Sequence, residues 1–195
     1  MTPEFNHSNI LPPFVGQRLF AADSSPYVMS SSELVDKLGH TAARRKLIRS
    51  FLSYRSELRK FGFERGFQWV NGSFTENIEA EHERSPQDID LVTFAYPPSD
   101  LSVMQINAKM KLYPHLFDRD QCKTSYHCDV FLVNLAKRAD LLVQDVRYWY
   151  GMFSHRRGDH LWKGFLQVPL DSDDDSALAL LLKYDDPGVS DHAPT

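Results

Sequence analysis

Leu47, Phe51, Tyr54 and Leu58 recur at i, i+4, i+7 and i+11, which places four large apolar side chains on one face of a helix. Ahead of them Ser30 to Glu33 spell an S-x-x-E capping box, so a helix starts near residue 30. Gly39-His40 interrupts it, and Thr41 caps a second, longer piece. Gly62 and Gly66 mark the way out, and residues 67–70 form a short strand running into Gly72-Ser73. Residues 74–87 are polar and rich in Glu, with room for a loop or a short irregular helix but not for a full crossover helix. A strand follows over 88–94, stopped by Pro97-Pro98. Ser99 or Asp100 caps the next helix, which carries Leu101, Met104, Ala108 and Leu112 at helical spacing, and Pro114 ends it.

After a polar stretch with Asp118, Asp120 and Lys123, residues 126–135 give the strongest strand signal in the chain. Asp140 caps a further helix whose Leu142, Val146, Trp149 and Phe153 make an apolar stripe, which helical spacing marks as core rather than a base-stacking platform. Arg156-Arg157-Gly158 ends it. A last strand spans 162–168, and the acidic run 171–175 leads into a short helix over 177–182.

These elements predict an α+β fold, a mixed sheet of few strands flanked by helices, in one domain over 1–184. Residues 1–29, with Pro3, Pro12, Pro13 and Pro26, read as an extended lead-in, and 185–195 as a flexible tail. A length of 195 residues suits a single core, and 42% hydrophobic with 25% charged residues is ordinary globular composition. No apolar run approaches the ~20 residues of a membrane span, and the N-terminus lacks a basic segment followed by an apolar one. The expectation is a cytoplasmic protein without membrane contact. A net charge of −4 argues against general DNA binding.

Arg44, Arg45, Lys46, Arg49, Arg55 and Arg59 enrich the long helix in positive charge. They read as a solvated face, with a nucleic-acid or triphosphate contact as the alternative. Cys122 and Cys128 lack a zinc spacing and read as small packed residues, the alternative being a mixed metal site with His127.

Candidate chemistry centres on Asp88-Ile89-Asp90. In an extended segment side chains alternate, so the two carboxylates share a face while Ile89 points to the other. Held close, they repel one another and call for a divalent cation; hard oxygen donors suit Mg²⁺ or Mn²⁺. Asp129 lies inside an otherwise apolar strand, where a carboxylate is costly unless paired or metal-bound.

A strand, Gly72-Ser73, Asp88-x-Asp90 and a later strand-borne Asp129, in that order, resemble the signature of the nucleotidyltransferase superfamily, the fold shared by DNA polymerase beta and poly(A) polymerases. The sequence is also similar to an uncharacterised bacterial family of such proteins, through Leu11-Pro12-Pro13, Gly72-Ser73-Phe74, Pro86 to Asp90 and Lys163-Gly164-Phe165. The superfamily resemblance implies a nucleotidyltransferase-like sheet and a two-metal phosphoryl transfer. In it Gly72 and Ser73 would hold the triphosphate of a nucleoside triphosphate, and Asp88, Asp90 and Asp129 would hold Mg²⁺ or Mn²⁺. Lys163, Arg156 or Arg157 would neutralise the phosphates.

The chain lacks room for the helical domain with which polymerases grip a growing strand. A single transfer to a protein, an RNA end or a small molecule is therefore expected. Many small members of the superfamily work with a partner protein in toxin-antitoxin or phage-defence pairs. Glu76, Glu79, Glu81 and Glu83 depart from the minimal pattern and would repel a triphosphate unless they face away. This acidic stretch favours an alternative, a catalytically silent nucleotide-binding or partner-masking module.

Overall fold

Ser30 and Glu33 close their capping box reciprocally: the Ser30 hydroxyl accepts from the Glu33 N–H at 3.2 Å and the Glu33 carboxylate from the Ser30 N–H at 2.7 Å. The helix so started, α1 (Ser31–Leu38), gives way at Gly39 to α2 (Ala42–Phe61), where the Thr41 hydroxyl accepts from the Arg44 N–H. Gly62, at φ 117°, stops α2 in the left-handed conformation that a Cβ would disfavour. The computed structural model describes residues 2–16 and 21–184; the expected tail 185–195 lies outside them.

Five strands form one mixed sheet: β1 (Tyr27–Val28), β2 (Gly66–Asn71), β3 (Ile89–Ala95), β4 (Cys128–Asn134) and β5 (Leu166–Pro169), in the spatial order β1-β5-β2-β3-β4. β2 is antiparallel to both neighbours, whereas β1 with β5 and β3 with β4 are parallel. Between the strands lie α3 (Ile78–His82), α4 (Val103–Met110), α5 (Pro114–Phe117), α6 (Arg119–Tyr126) and α7 (Ala139–Phe153), and α8 (Asp174–Tyr184) follows β5. The protein is thus α+β, a five-stranded mixed sheet flanked by helices.

Alternation along the strands separates two cores. Val70, Ile89, Leu91, Val130 and Leu166 pack against α1, α2 and α8. Trp69, Val92, Phe94 and Val133 pack on the other face against Phe153 of α7 and Phe165. The α7 stripe is therefore core at Phe153, Trp149 and Leu142, as its spacing predicts, while Val146 stays exposed.

Several boundaries differ from the sequence expectation. Ser102, not Ser99 or Asp100, caps α4, in a capping box with Gln105, and Pro114 opens α5 rather than simply ending a helix. The polar stretch before β4 is the helix α6, capped by Asp118, and β4 starts two residues later than Tyr126. Residue 138 occupies the cap position of α7, with Asp140 in its first turn. β5 begins at Leu166, Trp162 making only an isolated bridge to His155. The lead-in contains β1 and is held down at Leu11-Pro12: Gly164 N–H donates to Leu11 O at 2.7 Å, and a Cβ on Gly164 would stand 2.4 Å from Pro12 O. That contact gives a physical reason for Leu11-Pro12 and Lys163-Gly164 to occur together.

The positive side chains of α2 form a solvated face only in part: Lys46 is exposed and the Arg59 side chain 40% exposed, whereas Arg45 is buried. Arg44 and Arg55 are fully buried, and each makes a fixed set of bonds. Arg55 donates to both oxygens of Asp174, to Gln68 Oε1 at 2.8 Å and to Pro169 O at 2.7 Å, while Ser31 donates to Asp174 at 2.6 Å. Burial lowers the pKa of the Arg55 guanidinium, and the Asp174 bonds oppose that. Among the described residues no helix is long and apolar enough to cross a membrane.

Candidate active site

β3 and β4 run parallel in a register that sets Asp90 directly beside Asp129. Both side chains share the sheet face of Val92 and Val133, and Asp88, two residues ahead of Asp90 in extended backbone, joins them. On the other side of β3, Asn71 at the end of β2 pairs with Asp90, so the chain leaves β2 through Gly72-Ser73 against that carboxylate. Gly72 sits at φ 85°, and a Cβ there would lie 3.0 Å from Asp90 Oδ2. Only glycine meets both demands.

The turn is anchored from below. Lys163 is buried, donates to Gly72 O at 3.1 Å and forms an ion pair with the equally buried Glu76. Thr75 Oγ1 also donates to Gly72 O, at 3.1 Å, and to Asn71 Oδ1 at 3.1 Å; Asn71 Nδ2 donates to Phe153 O. Burial lowers the pKa of the Lys163 ammonium, and the Glu76 carboxylate opposes the fall. Its bonds commit Lys163 to holding the turn rather than to reaching a phosphate. Lys163→Met leaves Glu76 buried without its cation, and we expect a loss of about 3 kcal/mol or more. Urea denaturation checks this: adding Glu76→Gln to Lys163→Met should return part of the loss, and strictly additive single effects would show the two groups to be uncoupled.

The acidic stretch is neutralised in the same way. Arg44 donates to Glu79 at 2.7 and 2.8 Å and to the carbonyls of Phe74 and Glu76, fixing the segment after the turn. Arg156 binds Glu81 at 2.7 and 2.9 Å and also pairs with Asp159. Arg156 thereby links α3 to the segment after α7. Arg157 is exposed and is the leading positive charge acting on Asp90.

Burial first, then the carboxylates of Asp88 and Asp129, push the Asp90 carboxyl above the usual aspartate range; Arg157 and Lys163 work in the opposite sense. Asp129 accepts from Arg119 through both oxygens, at 2.7 and 2.6 Å, and Asp88 pairs with Lys123 at 2.6 Å. Among the described residues no three acid, thiol or imidazole side chains stand gathered as a ready metal cage. The two engaged carboxylates are directed at α6 cations instead. The three carboxylates supply oxygen donors, the ligand type that hard divalent cations take, but they are not gathered round one point.

The cysteines are buried and free, and His127 is the left-handed cap that ends α6. A hollow along α4, lined by Val103, Met104, Asn107, Ala108, Lys111 and Leu112, is separate from the carboxylates and offers no acid or thiol.

The structure thus brings together Asp88, Asp90, Asp129, Gly72, Ser73 and, electrostatically, Arg157. Arg119 and Lys123 escaped the sequence reading because their helix has one buried side chain, Cys122, and no amphipathic stripe. Glu76 was grouped with the exposed acids, although its neighbour Thr75 and the Phe74 before it are buried as well.

The chain belongs to DUF6932, a family of unknown function whose profile matches residues 3–169. No curated protein and no solved structure matches it.

Proposed function

We propose that this chain is a metal-dependent nucleotidyltransferase that moves a nucleoside monophosphate from a nucleoside triphosphate to a hydroxyl on a protein, an RNA end or a small molecule. The observation that carries this is the pairing of Asp90 with Asp129 across parallel strands, with Asp88 two residues upstream and Gly72 pressed against Asp90. The order of these parts is that of the nucleotidyltransferase superfamily, which the sequence resembles.

Asp88, Asp90 and Asp129 would hold Mg²⁺ or Mn²⁺, which when bound supplies charge neutralisation and lowers the pKa of an acceptor hydroxyl. Gly72 leaves open the space beside Asp90 that a side chain would fill, so a phosphate can approach the backbone. Lys163, Thr75 and Arg44 keep the turn and the segment after it rigid. Arg157 is exposed and its charge favours the Asp90 anion; in this reading it would meet phosphate charge. In the reaction the acceptor oxygen bonds to the α-phosphorus, the bond to the bridging oxygen breaks, pyrophosphate leaves and the acceptor proton passes to solvent.

The silent-module alternative drew on acidic residues 76–83. Glu76, Glu79 and Glu81 are each paired to a cation, which weakens that argument, while Glu83 is exposed.

Purified protein incubated with each α-labelled nucleoside triphosphate, Mg²⁺ or Mn²⁺, total RNA and cell lysate should place label on a macromolecule or a small acceptor. Asp88→Ala/Asp90→Ala should place none. Absence of transfer with every nucleotide and both metals would count against an enzyme.

A further inference from the structure

Arg119 and Lys123 stand at i and i+4 on α6, one turn apart on the same side of the helix. Each reaches a different carboxylate of the site: Arg119 chelates Asp129 through both oxygens, and Lys123 takes Asp88. The Arg119 guanidinium also lies over the Phe131 ring, 4.4 Å from its centroid, so its stem is guided from β4 itself. Yet the two side chains remain 55% and 56% exposed, and their hydrogen bonds and ion pairs among the described residues go to these carboxylates. They are tethered to the acids and free to swing.

Two monovalent cations bring the same charge as one divalent ion. Either set places two positive charges beside the three carboxylates, and holding both at once brings like charges together. A fork-to-fork bond to Asp129 takes one lone pair on each of its oxygens, so a metal ion drawn to those oxygens competes with the guanidinium for the same negative charge.

We propose that Arg119 and Lys123 are exchangeable counterions of the carboxylate site: they hold Asp129 and Asp88 in the metal-free protein, yield them to a divalent cation, and then present their released charges to the phosphates of the incoming triphosphate. This rests on the nucleotidyltransferase reading and adds to it a regulation, in which metal loading creates the anion-binding charge. The phosphate site is then incomplete until the metal is present, and triphosphate without metal finds its cations already engaged.

The test needs no knowledge of base or acceptor. Mn²⁺ binding is followed by the loss of the free-ion EPR signal, and binding of inorganic tripolyphosphate with Mg²⁺ by calorimetry, for the wild type, Arg119→Gln/Lys123→Gln and Asp88→Asn/Asp90→Asn. Because both cations are more than half exposed, the double Gln variant should stay folded, which circular dichroism checks. The expected result is opposed shifts: Mn²⁺ binds the Gln variant about 10-fold tighter, and Mg²⁺-tripolyphosphate binds it about 10-fold weaker. Arg119→Lys/Lys123→Arg, which keeps both charges, should restore tripolyphosphate binding most of the way.

Mn²⁺ affinity that is unchanged or weaker in the Gln variant, while the Asn variant binds none, would overturn the exchange and leave the nucleotidyltransferase reading standing. Mn²⁺ binding by neither the wild type nor the Gln variant would remove the metal site and the exchange together. Tighter Mn²⁺ with unaltered tripolyphosphate would refute the handover to phosphate.

Discussion

Asp129→Ala should lower nucleotide transfer by at least about 10³-fold, equivalent to about 4 kcal/mol of transition-state stabilisation, while the protein melts within a few degrees of the wild type. The separation of the two effects follows from the surroundings of the residue. Its described bonds go to Arg119, a mostly exposed side chain, and an ion pair of that kind contributes about 0–1 kcal/mol. Removing one carboxylate also relieves repulsion on Asp90, which is disfavoured as an anion partly by Asp129. Stability should therefore stay level or rise slightly even as transfer disappears. Initial rates of label transfer and a thermal scan on the same preparation check both halves. Transfer at the wild-type rate would mean that Asp129 is no ligand, and a drop in stability of several kcal/mol would mean that it acts through the fold.

The largest loss of stability is expected at the other end of the molecule. Arg55 and Asp174 are 1% and 7% exposed, and their contact joins α2 to α8 across the ends of β2 and β5. Asp174→Ala strands the Arg55 guanidinium in a dry site, and we expect it to cost about 3–5 kcal/mol, a large part of the ~5–15 kcal/mol that holds a domain together. The remaining bonds of Arg55 to Gln68 Oε1 and the Pro169 carbonyl supply partial negative charge but no counterion. Arg55→Met/Asp174→Leu, which removes both charges, should regain much of the difference. Equilibrium urea unfolding of the three variants decides it: a cost below about 1 kcal/mol for Asp174→Ala would show that water, not Asp174, balances Arg55.

Local signals carried most of the frame. The capping box at Ser30, the Thr41 cap and the heptad-like spacing of Leu47, Phe51, Tyr54 and Leu58 each act within a few residues, and all three correspond to structure. That Asp88 and Asp90 point the same way is local too, because strand alternation fixes which side chains share a face; the place of Asp129 beside Asp90 comes from the register of β3 with β4. What escaped was decided at long range. Arg44 meets Glu79 across 35 positions and Arg55 meets Asp174 across 119, so a buried, paired arginine and a solvated one look alike in sequence. Lys163 and Arg156 are cations by type, but that their partners are Glu76 and Glu81 is again decided at long range, across 87 and 75 positions. β1, two residues long, has no periodicity to detect; its partner β5 creates it.

That late partner governs how the molecule can be made. β5 fills the place between β1 and β2, so Tyr27 waits for Leu166 and Trp69 for Gln167. At ribosomal speeds of about 5–20 residues per second, β2 has one bare edge for roughly 5–20 s after it emerges. During that interval Glu76 also lacks Lys163, and the Gly-Ser turn lacks the ammonium that later pins its carbonyl. A nascent chain can build the carboxylate pair on β3 and β4, but its Gly72-Ser73 turn sets only when residues 163–169 arrive, which makes the middle of translation the moment at which an unpaired strand is most open to a wrong partner.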